Sequence, residues 1–329
     1  MQSGGWTPPA KTLLGDFLDQ WLRDYAAGAV RPTTLDGYRA IVRVHLAPAL
    51  GHIPLSALSG QAIQGYASRK LQEGLSPASV HKHYRLLHEA LGHAVRWGLL
   101  TRNPAALADP PRPSRKEMRV LDDEQVRLFL AEAKRSSAHY RLYLAAVTTG
   151  MRQGELLGLR WRDVDLALGV ASVQQTFYRL GAQMLFGEPK SAKARRTVAL
   201  PVVLVEELRA LREEQEENRR LLGPDYHDYG LVFCQPNGKP LHGHNISRGD
   251  LRRVLARAGL PRIRFHDLRH SHATLLPRQG EHPKVVSERL GHSGVGITLD
   301  TYSHVLPGMQ AQAAARLEER LFGRSGAVR

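Results

Sequence analysis

The sequence predicts two domains of different class. The first, over residues 11–105, is all-α, and the second, over residues 118–329, is α+β and mainly helical with a small antiparallel sheet. Apolar side chains recur at three- and four-residue spacings along the first stretch, which indicates amphipathic helices. Prolines and charges fill residues 106–117 between the two stretches, as in a linker. Short β-branched runs beyond residue 118 indicate strands.

The N-terminal elements follow from apolar spacing and from helix stop signals. Residues 1–10 contain glycine and proline and are predicted to be loose. A helix rich in aromatic residues comes next. A second is predicted to start within Arg31-Pro32-Thr33-Thr34, where a threonine can cap it, and to end at Pro48 and Gly51. A third helix is predicted over 55–71, and a fourth from Ser76 or Ser79 through Val95. No strand is predicted in this domain.

The second domain alternates between helical and extended patterns. Strands are predicted at 170–173 and 196–200, on either side of a turn-rich stretch, and a short buried strand at 230–233. The predicted helices cover 128–133, 143–148, 203–222, 248–258, 267–279, 283–290 and 307–322. No repeat of solenoid period is visible.

The chain is strongly basic, with a formal net charge of +15 and a pI of about 10.3. Residues 1–115 hold 13 Lys+Arg against 7 Asp+Glu, so both halves carry part of the excess. A polyanion such as DNA is the expected partner, with a generally basic proteome as the alternative explanation. Candidate DNA-contacting residues are Arg31, Lys82 and Arg85 in the helical domain and Arg115 and Lys116 in the linker. That linker could equally be merely solvated.

The single cysteine, Cys234, excludes an internal disulfide and a cysteine-rich zinc site. The sequence has no apolar run of 18 residues and no signal-peptide pattern at its start. We therefore expect a cytoplasmic protein that has no membrane partner and, through its DNA, is associated with the nucleoid.

The first segment that suggests chemistry is Thr149-Gly150-Met151-Arg152-Gln153-Gly154-Glu155. A predicted helix ends at Gly150, and Arg152 falls at the start of the next one. A phosphate could bind here, because the backbone N–H groups at a helix start are free to donate to it and a guanidinium can bind two of its oxygens at once. Glu155 lies one turn further and could orient Arg152. A purely structural ion pair is the alternative.

The second segment is His266-Asp267-Leu268-Arg269-His270. His266 and Arg269 share a helix face because they are three residues apart. His266 and His270 are four apart, which also fits a metal pair. Two features oppose a metal: the glutamate of such motifs is absent, and Arg269 places a fixed positive charge beside the ion. We predict that the protein uses no metal and no cofactor.

The third segment joins Leu290-Gly291-His292 to Tyr302 ten residues later. A tyrosine in a short helix is usually part of the packing. Tyr302 gains interest from the two arginines and the histidines of the same domain, since together they could hold a phosphodiester for attack by its hydroxyl.

These segments together resemble the tyrosine recombinase (phage integrase) family, and the resemblance spans nearly the whole chain. The family's first arginine box is similar to the segment around Arg152, its His-x-x-Arg box to His266–Arg269 followed by His270, and its Leu-Gly-His box to residues 290–292. The family tyrosine then falls on Tyr302. Four boxes in order at matching spacings are a specific signal.

The family lysine lies in a β-hairpin often written Pro-Lys-Thr, so Glu188-Pro189-Lys190-Ser191 points to Lys190, with Lys193 as the alternative. Residues 30–51 resemble the helical, SAM-like core-binding domain of temperate-phage integrases. Many such integrases have a further arm-site DNA-binding domain ahead of it, and with about ten residues before Lys11 we expect that this module is missing or was removed.

The resemblance implies a metal- and ATP-independent enzyme that cuts and rejoins duplex DNA at attachment sites through a 3′-phosphotyrosyl link. Arg152, Arg269 and His292 would stabilise the phosphate, His266 would assist Tyr302, and Lys190 would protonate the leaving oxygen. The two domains would clamp the duplex. Four protomers would assemble on two sites, with a monomer possible in the free state and helper factors possible in excision.

Three other functions remain open at this point. A relative with the same tyrosine chemistry could relax supercoils or form hairpins without recombining two sites. A DNA-binding regulator could have lost catalysis, although it would not need six catalytic residues. A metal hydrolase would lose its activity in chelator.

Overall fold

A computed structural model describes residues 12–113, 118–189, 194–292, 294–302 and 309–323. Within this range it gives the backbone alone for residues 297, 300–302, 309–313 and 316. The chain divides into two compact units, Met1–Glu117 and Met118–Arg329. No helix of the described part is both long and apolar enough to cross a membrane.

The N-terminal unit is helical throughout its described residues, apart from turns and one isolated β-bridge between Leu13 and Pro54. Its α-helices are α1 (Leu14–Trp21), α2 (Ala27–Ala29), α3 (Pro32–Ile41), α4 (Ala47–Leu50), α5 (Gly60–Gln72) and α6 (Pro77–Arg96). Buried apolar side chains from these helices form one core, in which Phe17, Trp21 and Leu46 are fully enclosed. The all-α prediction is confirmed for this unit.

Two helix boundaries differ from the predictions. Pro48 does not end the second helix: a π-helical turn, Val42–Leu46, joins α3 to α4, and the helix ends after Leu50. Proline has no N–H to donate, and such a wide turn lets a helix continue past the missing bond. The third helix starts at Gly60 because Ser59 caps it, its hydroxyl accepting a hydrogen bond from the Ala62 N–H at 3.1 Å.

The second unit surrounds a larger apolar core with helices and two small antiparallel sheets. Its α-helices are α7 (Asp123–Ser136), α8 (Tyr140–Thr149), α9 (Gln153–Leu157), α10 (Val202–Leu222), α11 (Gly243–Asn245), α12 (Leu251–Arg257), α13 (Phe265–Arg278), α14 (Pro283–Leu290), α15 (Val295–Tyr302) and α16 (Met309–Phe322). Its strands are β1 (Val164–Asp165), β2 (Val170–Val173), β3 (Thr176–Leu180), β4 (Gln183–Gly187) and β5 (Arg196–Ala199). The α+β, mainly helical prediction is confirmed.

The strands contradict two finer predictions. The stretch between β2 and β5 contains a regular hairpin, in which β3 pairs with β4 and Phe177 lies opposite Phe186. The prediction of a stretch made of turns is therefore wrong for residues 176–187. Residues 230–233 do not form a strand, because Leu231 makes one isolated bridge to Arg160. A short apolar run does not by itself distinguish a strand from a buried loop.

Five elements of the second unit position the candidate site. Helix α13 packs on α8 and on α14, and α14 packs on β5 and on α15. Strand β5 connects this group to the three-stranded sheet ordered β1-β2-β5, in which it pairs with β2. The ends of α8 and α14 lie against α13, where Arg269 bonds to the carbonyls of Gly150 and Leu290, and α9 begins shortly after the end of α8.

Candidate active site

The end of α8 approaches α13 and α14 so closely that the residue after the helix, Gly150, must be glycine. Gly150 has φ +65°, in the left-handed region. A Cβ there would stand 2.5 Å from a ring carbon of His272 and 2.8 Å from a methyl carbon of Leu290. Gly150 therefore lets three helices meet, and the chain reverses into α9 with Arg152 at its N-cap.

Arg152 is held by the first turn of the helix that it precedes. The Glu155 carboxylate accepts a hydrogen bond from the Arg152 backbone N–H at 3.0 Å and one from Nη1 at 2.7 Å. The Arg152 side chain is nevertheless 33% exposed, so part of its guanidinium faces solvent. Burial would raise the pKa of Glu155, but Arg196 and then Arg152 outweigh it and lower that pKa. The predicted orienting role of Glu155 agrees with this geometry.

Arg269 lies inside the protein, with 2% of the residue exposed. Its Nη1 donates to the Gly150 carbonyl and its Nη2 to the Leu290 carbonyl, both at 2.7 Å. A guanidinium is planar and carries five N–H donors, so two bonds to fixed carbonyls define its plane. The buried arginine thus joins the arginine box to the Leu-Gly-His box.

His266 and His270 lie together on α13, with ring centroids 4.8 Å apart and rings nearly perpendicular. His266 is open to solvent on one side. The protein packed around its other side, followed by His270, Arg269 and Arg152, lowers its pKa to about 4. The imidazole of His266 is therefore neutral at pH 7, and a neutral imidazole can accept a proton.

His292 connects the end of α14 to α15. Its Nδ1 lies 2.9 Å from the hydroxyl of Thr298, which stands one helical turn before Tyr302. Partial burial, followed by Arg269, Arg152 and Arg196, lowers the pKa of His292 to about 4. Tyr302 is the last residue of α15, and its side chain is outside the described ones.

These contacts bring the predicted arginines and histidines to one place. The positive charges of Arg152 and Arg269 act on both His266 and His292, whose boxes lie apart in the sequence. Lys190, Lys193, Arg115 and Lys116 are outside the described residues. Arg31, Lys82 and Arg85 belong to the other unit, where all three are exposed.

Three residues of the site were not predicted from the sequence. Arg196 begins β5, and its Nη2 donates to Glu155 Oε2 at 2.9 Å. The other two are the buried His272 and the half-buried Arg289: Arg289 Nε donates to His272 Nε2 at 3.2 Å, and His272 Nδ1 lies 2.8 Å from the Val147 carbonyl. The adjacent arginines Arg195 and Arg196 at a predicted strand start were an available signal, since a strand places one of two neighbours inward.

The side chains on α13 fit a metal ion poorly. The nearest carboxylate to the two histidines in sequence, Asp267, is held by Arg264, whose backbone N–H and Nη2 both donate to it at 2.7 Å. Among the residues described, no group of three or more His, Cys, Asp and Glu side chains could hold a metal. The independence from metals stays a prediction.

Family models match both units. The model described as "Phage integrase family" matches residues 119–308, and the model "Phage integrase, N-terminal SAM-like domain" matches residues 13–71. The match to the first covers more than half of the chain.

Individual relatives and solved structures are similar to this chain as well. A "Tyrosine recombinase XerC-like" protein of Caldanaerobacter subterraneus subsp. tengcongensis is 30% identical, with 93% of this chain and 83% of the relative covered. An integrase of the Tn1549 transposon in complex with a circular intermediate DNA has a TM-score of 0.79 at 21% identity, covering 93% of this chain and 100% of that one. A lambda integrase tetramer bound to a Holliday junction has a TM-score of 0.66 at 20% identity, covering 90% and 78%.

Proposed function

This chain belongs to the phage integrase family, and from that premise we propose which of its residues carry out DNA cleavage and rejoining. It is a site-specific recombinase of the tyrosine type, which breaks and rejoins DNA. The proposal assigns the nucleophile to Tyr302, the phosphate clamp to Arg152, Arg269 and His292, and the acceptance of the tyrosine proton to His266.

The convergence of two guanidiniums and two neutral imidazoles is the observation that carries this assignment. A phosphodiester is an anion, and the transition state of its cleavage places more negative charge on the non-bridging oxygens. Fixed donors that face those oxygens stabilise this charge without reorganising, and losing one typically costs on the order of 100- to 1,000-fold in rate. Arg152 and Arg269 are both fixed by hydrogen bonds before any DNA is bound.

The neutral imidazole of His292 can donate a hydrogen bond to the phosphate if its N–H is on Nε2. A neutral imidazole has one N–H and one unprotonated nitrogen. If the Thr298 hydroxyl donates to Nδ1 across the observed 2.9 Å, the proton of His292 is on Nε2, the nitrogen that remains for the phosphate. His266 remains unprotonated near neutral pH and can accept the Tyr302 proton.

In the proposed step, the Tyr302 oxygen forms a bond to the scissile phosphorus and the bond to the 5′ oxygen breaks. Lys190, with Lys193 as the alternative, gives the departing oxygen its proton. The phosphodiester is exchanged for a 3′-phosphotyrosyl ester, so attack by a 5′-hydroxyl rejoins DNA without ATP. Both candidate lysines lie within residues 190–193, a few residues before β5 begins at Arg196.

Two DNA attachment sites and four protomers are the proposed partners, so the protein would act at the nucleoid in the cytoplasm. The lambda integrase relative is described as a tetramer on a Holliday junction. In this chain, Leu317, Leu321 and Phe322 of α16 are exposed, and this apolar face would dock on a neighbouring protomer. The free protein would be monomeric, and excision could require a helper protein. Integration and excision of a phage or mobile element is the proposed biological role.

A suicide substrate tests the assignment of Tyr302. A duplex with a candidate attachment site and a nick near the cleavage point loses a short strand after attack, so the covalent adduct accumulates. We expect wild-type protein to be trapped in the presence of chelator, with the labelled peptide containing Tyr302. Tyr302→Phe should bind DNA with unchanged affinity and form no adduct, since phenylalanine has no oxygen to attack. An adduct with Tyr302→Phe would refute the assignment.

A further inference from the structure

Arg196 occupies a buried position at the first residue of β5, and its side chain is only 7% exposed. Each of its three nitrogens donates one hydrogen bond. Nε donates to the Arg289 carbonyl at 2.6 Å, Nη1 to the Ala194 carbonyl at 3.0 Å, and Nη2 to Glu155 Oε2 at 2.9 Å. The guanidinium is therefore fixed in position and in plane.

These three acceptors belong to three different parts of the site. Glu155 holds Arg152 through its other oxygen at 2.7 Å. The Arg289 carbonyl precedes His292 by three residues, and Ala194 follows directly on residues 190–193, which contain both candidate lysines. One side chain thus connects the arginine box, the Leu-Gly-His box and the end of the lysine segment.

The site is built around an arginine at this position. Gly291 has φ +65°, and a Cβ on it would stand 2.9 Å from Arg196 Nη1. The backbone of the Leu-Gly-His box therefore passes directly against the guanidinium, and its positive φ at this point favours glycine. A lysine carries the same charge but lacks the planar fork, and it could not make the same three bonds together.

Charge gives Arg196 a second effect. Glu155 carries one negative charge and contacts both Arg152 and Arg196. With both guanidiniums present the three groups sum to one positive charge, whereas Arg152 and Glu155 alone sum to zero. Without Arg196, Oε2 keeps the Arg152 backbone N–H but loses its ion pair, so the carboxylate is less restrained and can compete with the phosphate for the Arg152 guanidinium.

We propose that Arg196 is a positioning residue for DNA cleavage, which holds Glu155 away from the phosphate-facing side of Arg152 and fixes the backbone that carries His292. The inference rests on the proposed roles of Arg152 and His292. Arg196 acts through these residues, because its side chain is enclosed by protein. Its neighbour Arg195 has a 50% exposed side chain, pairs with the exposed Glu188 and has no such role.

The test compares Arg196→Lys with the matched control Arg195→Lys in the full-length protein. DNA affinity and the rate of covalent capture at saturating suicide substrate are measured separately. We expect Arg196→Lys to slow capture by about 100-fold, the scale of a misplaced catalytic group, with Kd changed less than about threefold. Arg195→Lys should stay within about twofold of wild type in both. A wild-type capture rate for Arg196→Lys would overturn the inference.

A double-mutant cycle separates positioning from a general structural role. If Arg196 acts by holding Glu155, then Glu155→Gln already removes the charge that Arg196 restrains. The double variant Glu155→Gln/Arg196→Lys should then lose much less of the wild-type capture rate than the product of the two single fold-losses. Multiplicative losses would overturn the inference, since independent defects add in free energy.

Folding is checked by circular dichroism, and Arg196→Gln replaces Arg196→Lys in both measurements if the lysine variant does not fold. Failure of both variants to fold would also overturn the inference, because the residue would then serve the fold alone. If wild-type protein itself forms no tyrosine adduct, the proposed function fails instead, and that outcome is read from wild type before any variant is considered.

Discussion

The two units use buried polar groups in different ways. In the N-terminal unit, Trp21 Nε1 donates to His93 Nδ1 at 2.6 Å, and the Tyr66 hydroxyl lies 2.8 Å from His83 Nδ1. Burial, followed by His45 and Lys70, lowers the pKa of His83 to about 4, so this pair is neutral at pH 7. These aromatic side chains satisfy each other within an apolar core, and Arg31, Lys82 and Arg85, which are predicted to contact DNA, are exposed.

The second unit encloses charges. Arg269, Glu155 and Asp267 are all buried, and each is matched by a carbonyl, a guanidinium or a backbone N–H. Burying a charge costs several kcal/mol unless it is paired and hydrogen-bonded. A network of this kind adds little stability over apolar packing, which supports the proposed role of these residues in binding an anionic phosphate. We therefore expect polar substitutions in the first unit to alter DNA binding or stability but not the rate of cleavage, and those in the second unit to alter rate, stability or both.

The largest effect is expected from Arg269→Gln. This change removes a fixed cation that faces the proposed phosphate site, so capture at saturating DNA should slow by at least about 100-fold. It also deprives the Gly150 and Leu290 carbonyls of their donors, at about 1–3 kcal/mol each, so Tm should fall as well. Suicide-substrate kinetics and thermal melting give the two results. The control is Arg220→Gln, an exposed arginine of α10 that should change neither, and a tenth or more of wild-type capture by Arg269→Gln would contradict the comparison.

An intermediate effect is expected from pH. Burial, then Arg289, lowers the pKa of His272 to about 3, below the ordinary value of 6.5. The unfolded chain therefore binds a proton in the range between these values that the folded chain does not. The stability that His272 contributes is complete above pH 6.5 and is lost as the pH falls through that range. Between pH 7.5 and 5 this amounts to at most about 2 kcal/mol.

Urea unfolding at the two pH values measures this difference. His272→Gln should reduce the loss of unfolding free energy on going from pH 7.5 to 5, whatever its effect at pH 7.5. The exposed His244→Gln serves as the control and should retain the wild-type pH dependence. A pH dependence unchanged by His272→Gln would show that this histidine titrates equally in both states.

The smallest effect is expected at the surface of the first unit. Lys82 and Arg85 are exposed and three residues apart on α6. If both contact phosphate, Lys82→Gln with Arg85→Gln should lower the slope of log K against log salt by about 0.9 per contact. Capture at saturating DNA should stay at the wild-type rate. A slower capture step at saturation would remove the distinction between a binding unit and a catalytic unit.

The site was predictable to the extent that its chemistry is written in short boxes. Arg152, Glu155, His266, Arg269, His270 and His292 were all predicted, and the structure places them together. Arg196 was not, because its importance comes from three acceptors that lie 2, 41 and 93 residues away in the sequence. The β3–β4 hairpin was missed for a related reason: a pattern of turn residues does not reveal that two short runs pair.

The sequence alone therefore predicted the family and the two fold classes, which are confirmed, since periodicity and box spacing are local properties of a chain. The catalytic residues that it indicated stay a prediction. The tertiary structure decided which neighbours those residues have. Burial, followed by nearby charges that include Arg269 and Arg152, lowers the pKa of both His266 and His292. The fold also made Arg196 a partner of Glu155 rather than a surface cation like Arg195. Charge and burial act through space, so distances set them and sequence order does not.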